Sequence, residues 1–218
     1  MQFICVGLAP WLQENGNVHE RHWEQLAKLN REETAKRARC RYLAECDSFA
    51  VFLLNSEYVI DLARRTIRLA AEASNVRPPG YLEQLSLLAY LINARDLPLT
   101  GKLVSVEKLD PGGFFFRGSH KLPVEKLARV FGPDPPSLHK VGRALDAAPQ
   151  AFGDASIELL VLPRIPLTLI VWAADEEFPA RASILLDQSA SAQLSLDVLF
   201  AVTMLTINVV VSIAGTTN

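Results

Sequence analysis

Two short apolar runs on either side of a polar pair decide the fold class of this chain: Phe49-Ala-Val-Phe-Leu-Leu, then Asn55-Ser56, then Tyr58-Val-Ile-Asp-Leu. Runs rich in β-branched and aromatic residues that are separated by a tight polar turn are typical of a β-hairpin. The segment Arg65–Ala70 alternates polar and apolar residues and predicts a third strand. Leucines at helical spacing then predict a helix over Tyr81–Ala94. Before the hairpin, apolar residues at helical spacing predict one or two helices over His19–Cys46.

The same order of elements is predicted again in the second half of the chain. Short apolar strands are expected over Ile157–Leu162, Leu167–Ala173 and Ala182–Leu186, and a long helix over Leu196–Ile213. Strands and helices grouped in this way favour an α+β fold. We therefore predict a mostly antiparallel sheet with helices on one face and a weak internal βββα duplication.

Length and composition indicate one globular domain. The chain has 218 residues, of which 50% are hydrophobic and 21% are charged, and its formal net charge is −2. A chain of this length buries enough surface to fold without a disulfide or a structural metal. No long basic run indicates a nucleic-acid partner. We predict a leader or loop over residues 1–18 and a single α+β domain over residues 19–218.

The cysteines and apolar segments favour a cytoplasmic protein without a membrane span. Cys5, Cys40 and Cys46 have the spacing of neither a disulfide framework nor a zinc or iron–sulfur motif, so reduced thiols are expected. No Lys or Arg precedes the first apolar run, as it would in a signal peptide. Polar residues interrupt Val198–Ala214, which favours a core helix over a membrane helix. A homodimer is expected only because such assemblies are common.

Three consecutive acids, Asp175, Glu176 and Glu177, follow the predicted strand Leu167–Ala173. Neighbouring like charges favour a bound cation, and in extended backbone the first and third acids point to the same side. Asp187 ends the next predicted strand and is expected at the same rim. Because a hard metal ion prefers oxygen ligands, we predict a metal site formed by Asp175, Glu177 and Asp187. A solvated hairpin loop is the alternative.

The Gly- and Pro-rich connection between the two halves contains Asp110-Pro-Gly-Gly-Phe-Phe-Phe-Arg-Gly-Ser-His. Paired glycines allow a ligand to approach the backbone, and the phenylalanines offer a stacking wall. The arginine would meet a carboxylate or phosphate, and the histidine would serve as an axial metal ligand or an acid–base group. A tetrapyrrole such as a corrinoid or haem would suit this chemistry, and an ordinary turn followed by core phenylalanines is the alternative. The residues assigned to this cofactor site are Gly112, Gly113, Phe115, Arg117 and His120.

Five short elements give the chain a family resemblance. They are Leu99-Thr-Gly, Pro111-Gly-Gly-Phe, Pro163-Arg-Ile-Pro-Leu, Asp175-Glu-Glu-Phe-Pro and Leu186-Asp-Gln-Ser-Ala. In this order they resemble domain of unknown function 3786, from the first helix to Ile213, and Asp-Glu-Glu-Phe-Pro is the most specific of them. The resemblance implies an association with anaerobic metabolism. Some members are fused to a four-cysteine iron–sulfur module of the kind seen in corrinoid iron–sulfur proteins, but the three cysteines here have another spacing.

Three functional hypotheses follow, and they leave open whether the protein is an enzyme. The first is a non-catalytic cofactor-binding or accessory protein of anaerobic metabolism, linked to corrinoids or iron–sulfur clusters, with a corrinoid or iron–sulfur protein as its partner. The second is a small metal-dependent enzyme that uses the acids at 175–177. The third is an interaction module that binds another protein through Phe114–Phe116. The sequence contains no Rossmann, Walker or nucleophile-elbow motif.

Overall fold

The described residues form seven α-helices and two antiparallel sheets, which confirms the predicted α+β class. In a computed structural model of the protein, the residues described are 16–71, 78–109, 115–116 and 120–216. The helices are α1 (Gly16–Ala27), α2 (Arg31–Ala38), α3 (Tyr81–Asn93), α4 (Glu125–Phe131), α5 (Ser137–Ala144), α6 (Ala190–Gln193) and α7 (Leu196–Thr216). The strands are β1 (Arg41–Leu43), β2 (Ser48–Leu53), β3 (Ser56–Asp61), β4 (Thr66–Leu69), β5 (Leu103–Ser105), β6 (Ala148–Gln150), β7 (Ala155–Leu162), β8 (Ile165–Trp172) and β9 (Arg181–Asp187).

The strands lie in two sheets, whereas the sequence pattern predicts one. The first sheet has the order β1-β2-β3-β4, and the second has the order β5-β9-β8-β7-β6. The sheets meet where the Leu54 N–H donates to the carbonyl of Val161 at 3.0 Å. One contiguous hydrophobic core includes residues from both sheets, among them Ile60 and Leu169. The predicted leader falls on residues 1–15, which lie outside the described part, and on the first three residues of α1.

The order of elements occurs twice along the chain. Two helices, a four-stranded meander and a further helix make up α1 to α3 with β1–β4, and the same order returns as α4, α5, β6–β9 and α7. Strand β5 is added at the edge beside β9, and the short α6 precedes α7. The two closing helices, α3 and α7, pack against each other. The predicted duplication is therefore present in the topology, with four strands in each copy rather than three.

The β2–β3 hairpin turns one residue earlier than predicted. Leu53 pairs with Ser56, and the two residues between them, Leu54 and Asn55, have φ of 49° and 60°. Two successive positive φ angles give the type I′ turn, whose twist matches that of paired strands. Asparagine adopts this conformation readily, whereas leucine does so at a steric cost. The polarity of Ser56 indicated a turn residue, but the twist of the hairpin places it in β3.

Helix α2 ends in a left-handed residue, which corrects the prediction of a helical region over His19–Cys46. Arg39 has a φ of 48°, and the next N–H, of Cys40, donates to the Ala35 carbonyl at 3.0 Å. This is the hydrogen bonding of a Schellman motif. The following residues, Arg41–Leu43, form β1. No glycine marks this helix end, and the good helix formers before it predict that the helix continues.

Helix α7 lies in the core, where it packs against α3, α4 and α5. The hydroxyls of Thr203 and Thr206 each donate to a carbonyl one turn earlier, at 2.8 Å, to Leu199 and Val202 respectively. These bonds satisfy polar groups inside an apolar environment. By length and composition alone α7 could cross a membrane, but core helices meet the same test, and 56% of its most apolar window is buried in this fold. The helix predicted over Leu196–Ile213 is confirmed, with three further residues at its C-terminus.

Candidate functional site

Two of the five residues predicted to bind a cofactor are described, and they contact each other. The rings of Phe115 and His120 stack with centroids 4.4 Å apart and an interplanar angle of 25°. Phe200 of α7 meets the His120 ring edge-on at 5.5 Å. Phe116 is 3% exposed and also packs beside Phe200. The phenylalanines thus pack toward the core, and His120 occupies a ring face that a flat ligand would need. The other three residues, Gly112, Gly113 and Arg117, lie outside the described part.

Asp187, at the end of β9, holds the backbone of Thr100 and Gly101 through hydrogen bonds. Its carboxylate accepts hydrogen bonds from the Thr100 N–H (3.1 Å), the Thr100 hydroxyl (2.9 Å), the Gly101 N–H (2.8 Å) and the Ser189 N–H (2.9 Å). Burial raises the pKa of the carboxyl, which is 3% exposed, but the hydrogen bonds from Ser189 and Thr100 outweigh it and lower the pKa from 3.8 to about 2. Asp187 is therefore an ionised structural anchor.

Thr100 and Gly101 belong to the connection between α3 and β5. Arg164 and Gln193 hold the other end of this connection, next to α3. The Arg164 side chain is 3% exposed, donates to the Leu97 carbonyl at 3.0 Å and forms an ion pair with Asp96. Gln193 is buried and exchanges two hydrogen bonds with the backbone of Arg95, at 2.7 Å and 3.1 Å. A connection without regular secondary structure is thereby fixed at both of its ends.

Three of the five short sequence elements that carry the family resemblance meet at the connection between α3 and β5. Leu99-Thr-Gly supplies the donors, Leu186-Asp supplies the carboxylate, and Pro163-Arg supplies the buried guanidinium. The sequence pattern predicts Asp187 as a metal ligand and does not single out Arg164. An arginine held between two prolines was the available signal, but its partners lie 67, 68 and 127 positions away in the chain.

The acids at 175–177 lie in an exposed turn. Asp175 Oδ1 accepts hydrogen bonds from the Phe178 N–H at 2.7 Å and the Glu177 N–H at 2.9 Å. These two bonds lower the pKa of the Asp175 carboxyl below its usual value. Within residues 16–71, 78–109, 115–116 and 120–216, no three His, Cys, Asp or Glu side chains are placed to hold a metal ion. The geometry therefore does not bring Asp175, Glu177 and Asp187 together as a ligand set.

Cys40 is a partly buried thiol, and Cys46 is exposed. Burial raises the pKa of Cys40 to about 12, although the charge of Arg37 acts in the opposite direction. The Cys40 thiol is protonated at neutral pH and does not offer a reactive thiolate. Both cysteines are free, and the third, Cys5, lies outside the described residues.

Two adjoining cavities lie between the β2–β3 hairpin, α3, α5 and α7. Their volumes are about 250 and 340 Å³. The first lies beside the hairpin tip, at Leu54, and the second lies beside the start of α3, at Tyr81. Glu83, Leu205 and Val209 line both. We refer to the two together as the hairpin cleft.

Glu83 is an acidic residue in the wall of the hairpin cleft. It lies in the first turn of α3 and is 7% exposed. Among the described residues that line the two cavities, it is the only one with a charged side chain. Tyr58 and Tyr81 add polar groups, and Leu205 and Val209 add aliphatic surface from α7. Sequence reasoning missed Glu83, although a single acid within the leucine-rich stretch of α3 was a visible signal.

A family model described as Domain of unknown function (DUF3786) matches residues 30–209. The chain belongs to this family. The resemblance drawn from the five sequence elements is thereby confirmed, and the matched part of this DUF3786 chain runs from the residue before α2 into the last two turns of α7. No curated protein and no solved structure matches the chain.

Proposed function

We propose that this DUF3786 protein is a non-catalytic binding or accessory protein of anaerobic, corrinoid- or iron–sulfur-linked metabolism, and that its ligand occupies the hairpin cleft. The proposal is carried by the two adjoining cavities, of about 250 and 340 Å³, that share Glu83. Small-molecule sites are concave and combine apolar side chains with a few polar groups, and the lining of the cleft contains both. The anaerobic setting, the cytoplasmic location and a corrinoid or iron–sulfur protein as partner are inferred from the sequence and its family resemblance.

Two of the acids that a metal-dependent enzyme would need already accept hydrogen bonds within the protein. Asp187 accepts four hydrogen bonds from protein donors, and Asp175 accepts two. A metal ion would have to compete with these donors for the same oxygens. The enzyme hypothesis based on Asp175, Glu176 and Glu177 is therefore less well supported than a binding function.

The other two locations are also less favourable than the cleft. A tetrapyrrole stacked on Phe115 would need a free ring face, and His120 already stacks on one face of that ring at 4.4 Å. An interaction through the phenylalanine run would need exposed rings, and Phe116 is buried against Phe200. The hairpin cleft needs neither rearrangement, so we assign the ligand to it.

Non-denaturing mass spectrometry and absorption spectroscopy of protein purified without oxygen test the proposal. The wild-type protein is expected to carry a non-covalent ligand that is released on denaturation. Val209→Trp fills the cleft from α7 and is expected to remove the ligand, because Val209 lines both cavities. Val211→Trp is the matched control, since Val211 is also partly exposed on α7 and is not part of the described lining.

A ligand that is lost in His120→Ala and kept in Val209→Trp would overturn the assignment to the cleft and move the site to the aromatic pair. A wild-type protein that carries no ligand, and that also binds neither haem nor cobalamin when they are added, would overturn the binding function itself. Melting curves of all three variants establish that each one is folded.

A further inference from the structure

We infer that residues 95–102, between α3 and β5, form a docking segment for a partner protein whose contact surface holds an apolar pocket bordered by carboxylates. We refer to these residues as the anchored segment. None of them belongs to the described lining of the hairpin cleft, so the inference goes beyond the proposed function and does not depend on it. Three observations carry it: the exposed leucines of the segment, the buried side chains that hold its backbone, and its cationic ends.

The anchored segment exposes two leucines that are close together in the chain. Leu97 is 40% exposed and Leu99 is 47% exposed, and Pro98 between them is also exposed. Of the large apolar residues that are strongly exposed in the described part of the chain, no other two lie within three positions of each other. Single exposed apolar residues are common on protein surfaces, whereas adjoining ones are typical of an interaction site.

Buried side chains hold the backbone of the anchored segment, although its own residues are exposed. Arg164, Asp187 and Gln193 are between 1% and 3% exposed, and they bond to the backbone on both sides of Pro98. The proline fixes its own φ and favours extended backbone at Leu97. A segment that is ordered in advance loses little conformational entropy when a partner binds. Binding residues in loops are commonly positioned by a rigid scaffold in this way.

The ends of the anchored segment are positively charged. Arg95 and Lys102 are exposed, and neither side chain forms an ion pair with any residue that the structure describes. The one acid of the segment, Asp96, is paired with Arg164. A partner surface with a pocket for leucine and carboxylates at its border complements this arrangement, because opposite charges steer two proteins together and fix their register.

Site-specific photo-crosslinking in cells of the source organism tests for the partner. The photoreactive residue p-benzoylphenylalanine replaces Leu97, Leu99 or, as the control, Phe178. The control position is 59% exposed and lies before β9, whereas the anchored segment is held at the end of that strand by Asp187. One and the same protein is expected to cross-link at positions 97 and 99, and not at position 178.

Isothermal titration calorimetry with the purified cross-linked protein then measures the contribution of the leucines. Leu97→Ser and Leu99→Ser are each expected to weaken binding about tenfold, because each removes an apolar side chain from the contact. Phe178→Ser is the matched control and is expected to leave the affinity unchanged. Since all three side chains are exposed, melting curves of the variants are expected to match that of the wild type.

The salt dependence of the same binding reaction tests the charge complementarity. Raising NaCl from about 50 to about 300 mM is expected to weaken wild-type binding about tenfold, since exposed charges are screened by salt. A variant that combines Arg95→Gln with Lys102→Gln is expected to lose only about threefold over the same range. Arg129→Gln, on the exposed side of α4, is the control and is expected to keep the full salt dependence.

Cross-linking at positions 97 and 99 that is absent, or no stronger than at 178, would overturn the inference. So would cross-linking to a second copy of this chain, which would make the segment a contact between copies. A partner whose affinity ignores both leucine variants, or whose salt dependence is the same in the Arg95 and Lys102 double variant, would also overturn it. The leucine variants are expected to keep the ligand of the hairpin cleft in non-denaturing mass spectrometry, so failure of the docking inference leaves the proposed function standing.

Discussion

At the scale of single residues, buried charges in this fold hold the backbone in place. Asp187 accepts four hydrogen bonds, and an Asp187→Asn change would turn an NH₂ group toward at least one of those donors. We expect Asp187→Asn to lower the free energy of unfolding at neutral pH by about 2–4 kcal/mol, measured by urea denaturation. The exposed Asp175→Asn is the control and should cost much less stability than Asp187→Asn, because an amide oxygen can cap the same turn.

The same carboxylate makes stability depend on pH. The pKa of Asp187 is about 2 in the folded protein against 3.8 for an ordinary aspartate, so its contribution is fully present above 3.8 and is lost as the pH falls through 2. Between about pH 5 and pH 2, the wild type should lose about 2 kcal/mol more stability than Asp187→Asn. Urea titrations of both proteins across this range measure the difference, and parallel losses would contradict the role assigned to Asp187.

At the scale of elements, the end of α2 offers a test of the Schellman geometry. Arg39 is exposed and has a φ of 48°, a conformation that glycine adopts without steric cost. Arg39→Gly is expected to raise the free energy of unfolding by about 0.5–1 kcal/mol. Arg39→Ala keeps a Cβ and should bring no gain. Thermal melts compare the two, and equal effects would show that this position is not strained.

Local patterns in the sequence account for the elements better than for their junctions. The helices α3 and α7 were predicted to within three residues at each end, because apolar spacing follows the face that is buried. The position of the β2–β3 turn was missed, since the twist of the paired strands decides it rather than the polarity of Ser56. The end of α2 was missed because its left-handed residue is an arginine.

The candidate site was less predictable than the fold, since it forms where distant segments meet. Glu83 faces the hairpin tip and α7, which are about 30 and 120 positions away in the chain. Asp187 was singled out for its charge, but the donors that occupy it belong to Thr100 and Gly101. One sequence shows which residues carry charge, but it does not show which hydrogen-bond donors reach them in the fold.

At the scale of the whole molecule, the two sheets share one core, and we expect them to unfold together. Ile60 lies in the first sheet and Leu169 in the second, and both are fully buried in the same cluster. Ile60→Ala and Leu169→Ala should each lower the free energy of unfolding by about 2–4 kcal/mol. Each should shift one common transition, seen alike by tryptophan fluorescence and far-UV circular dichroism. Two separate transitions would contradict the single domain predicted from the sequence.

The central claim is that a ligand occupies the hairpin cleft. A crystal structure of protein purified and crystallised without oxygen tests this most directly, through the electron density beside Glu83. The account predicts density for a small molecule that contacts Glu83 and runs along Leu205 and Val209. Density for a ligand at Phe115 and His120, with the hairpin cleft holding only water, would contradict it.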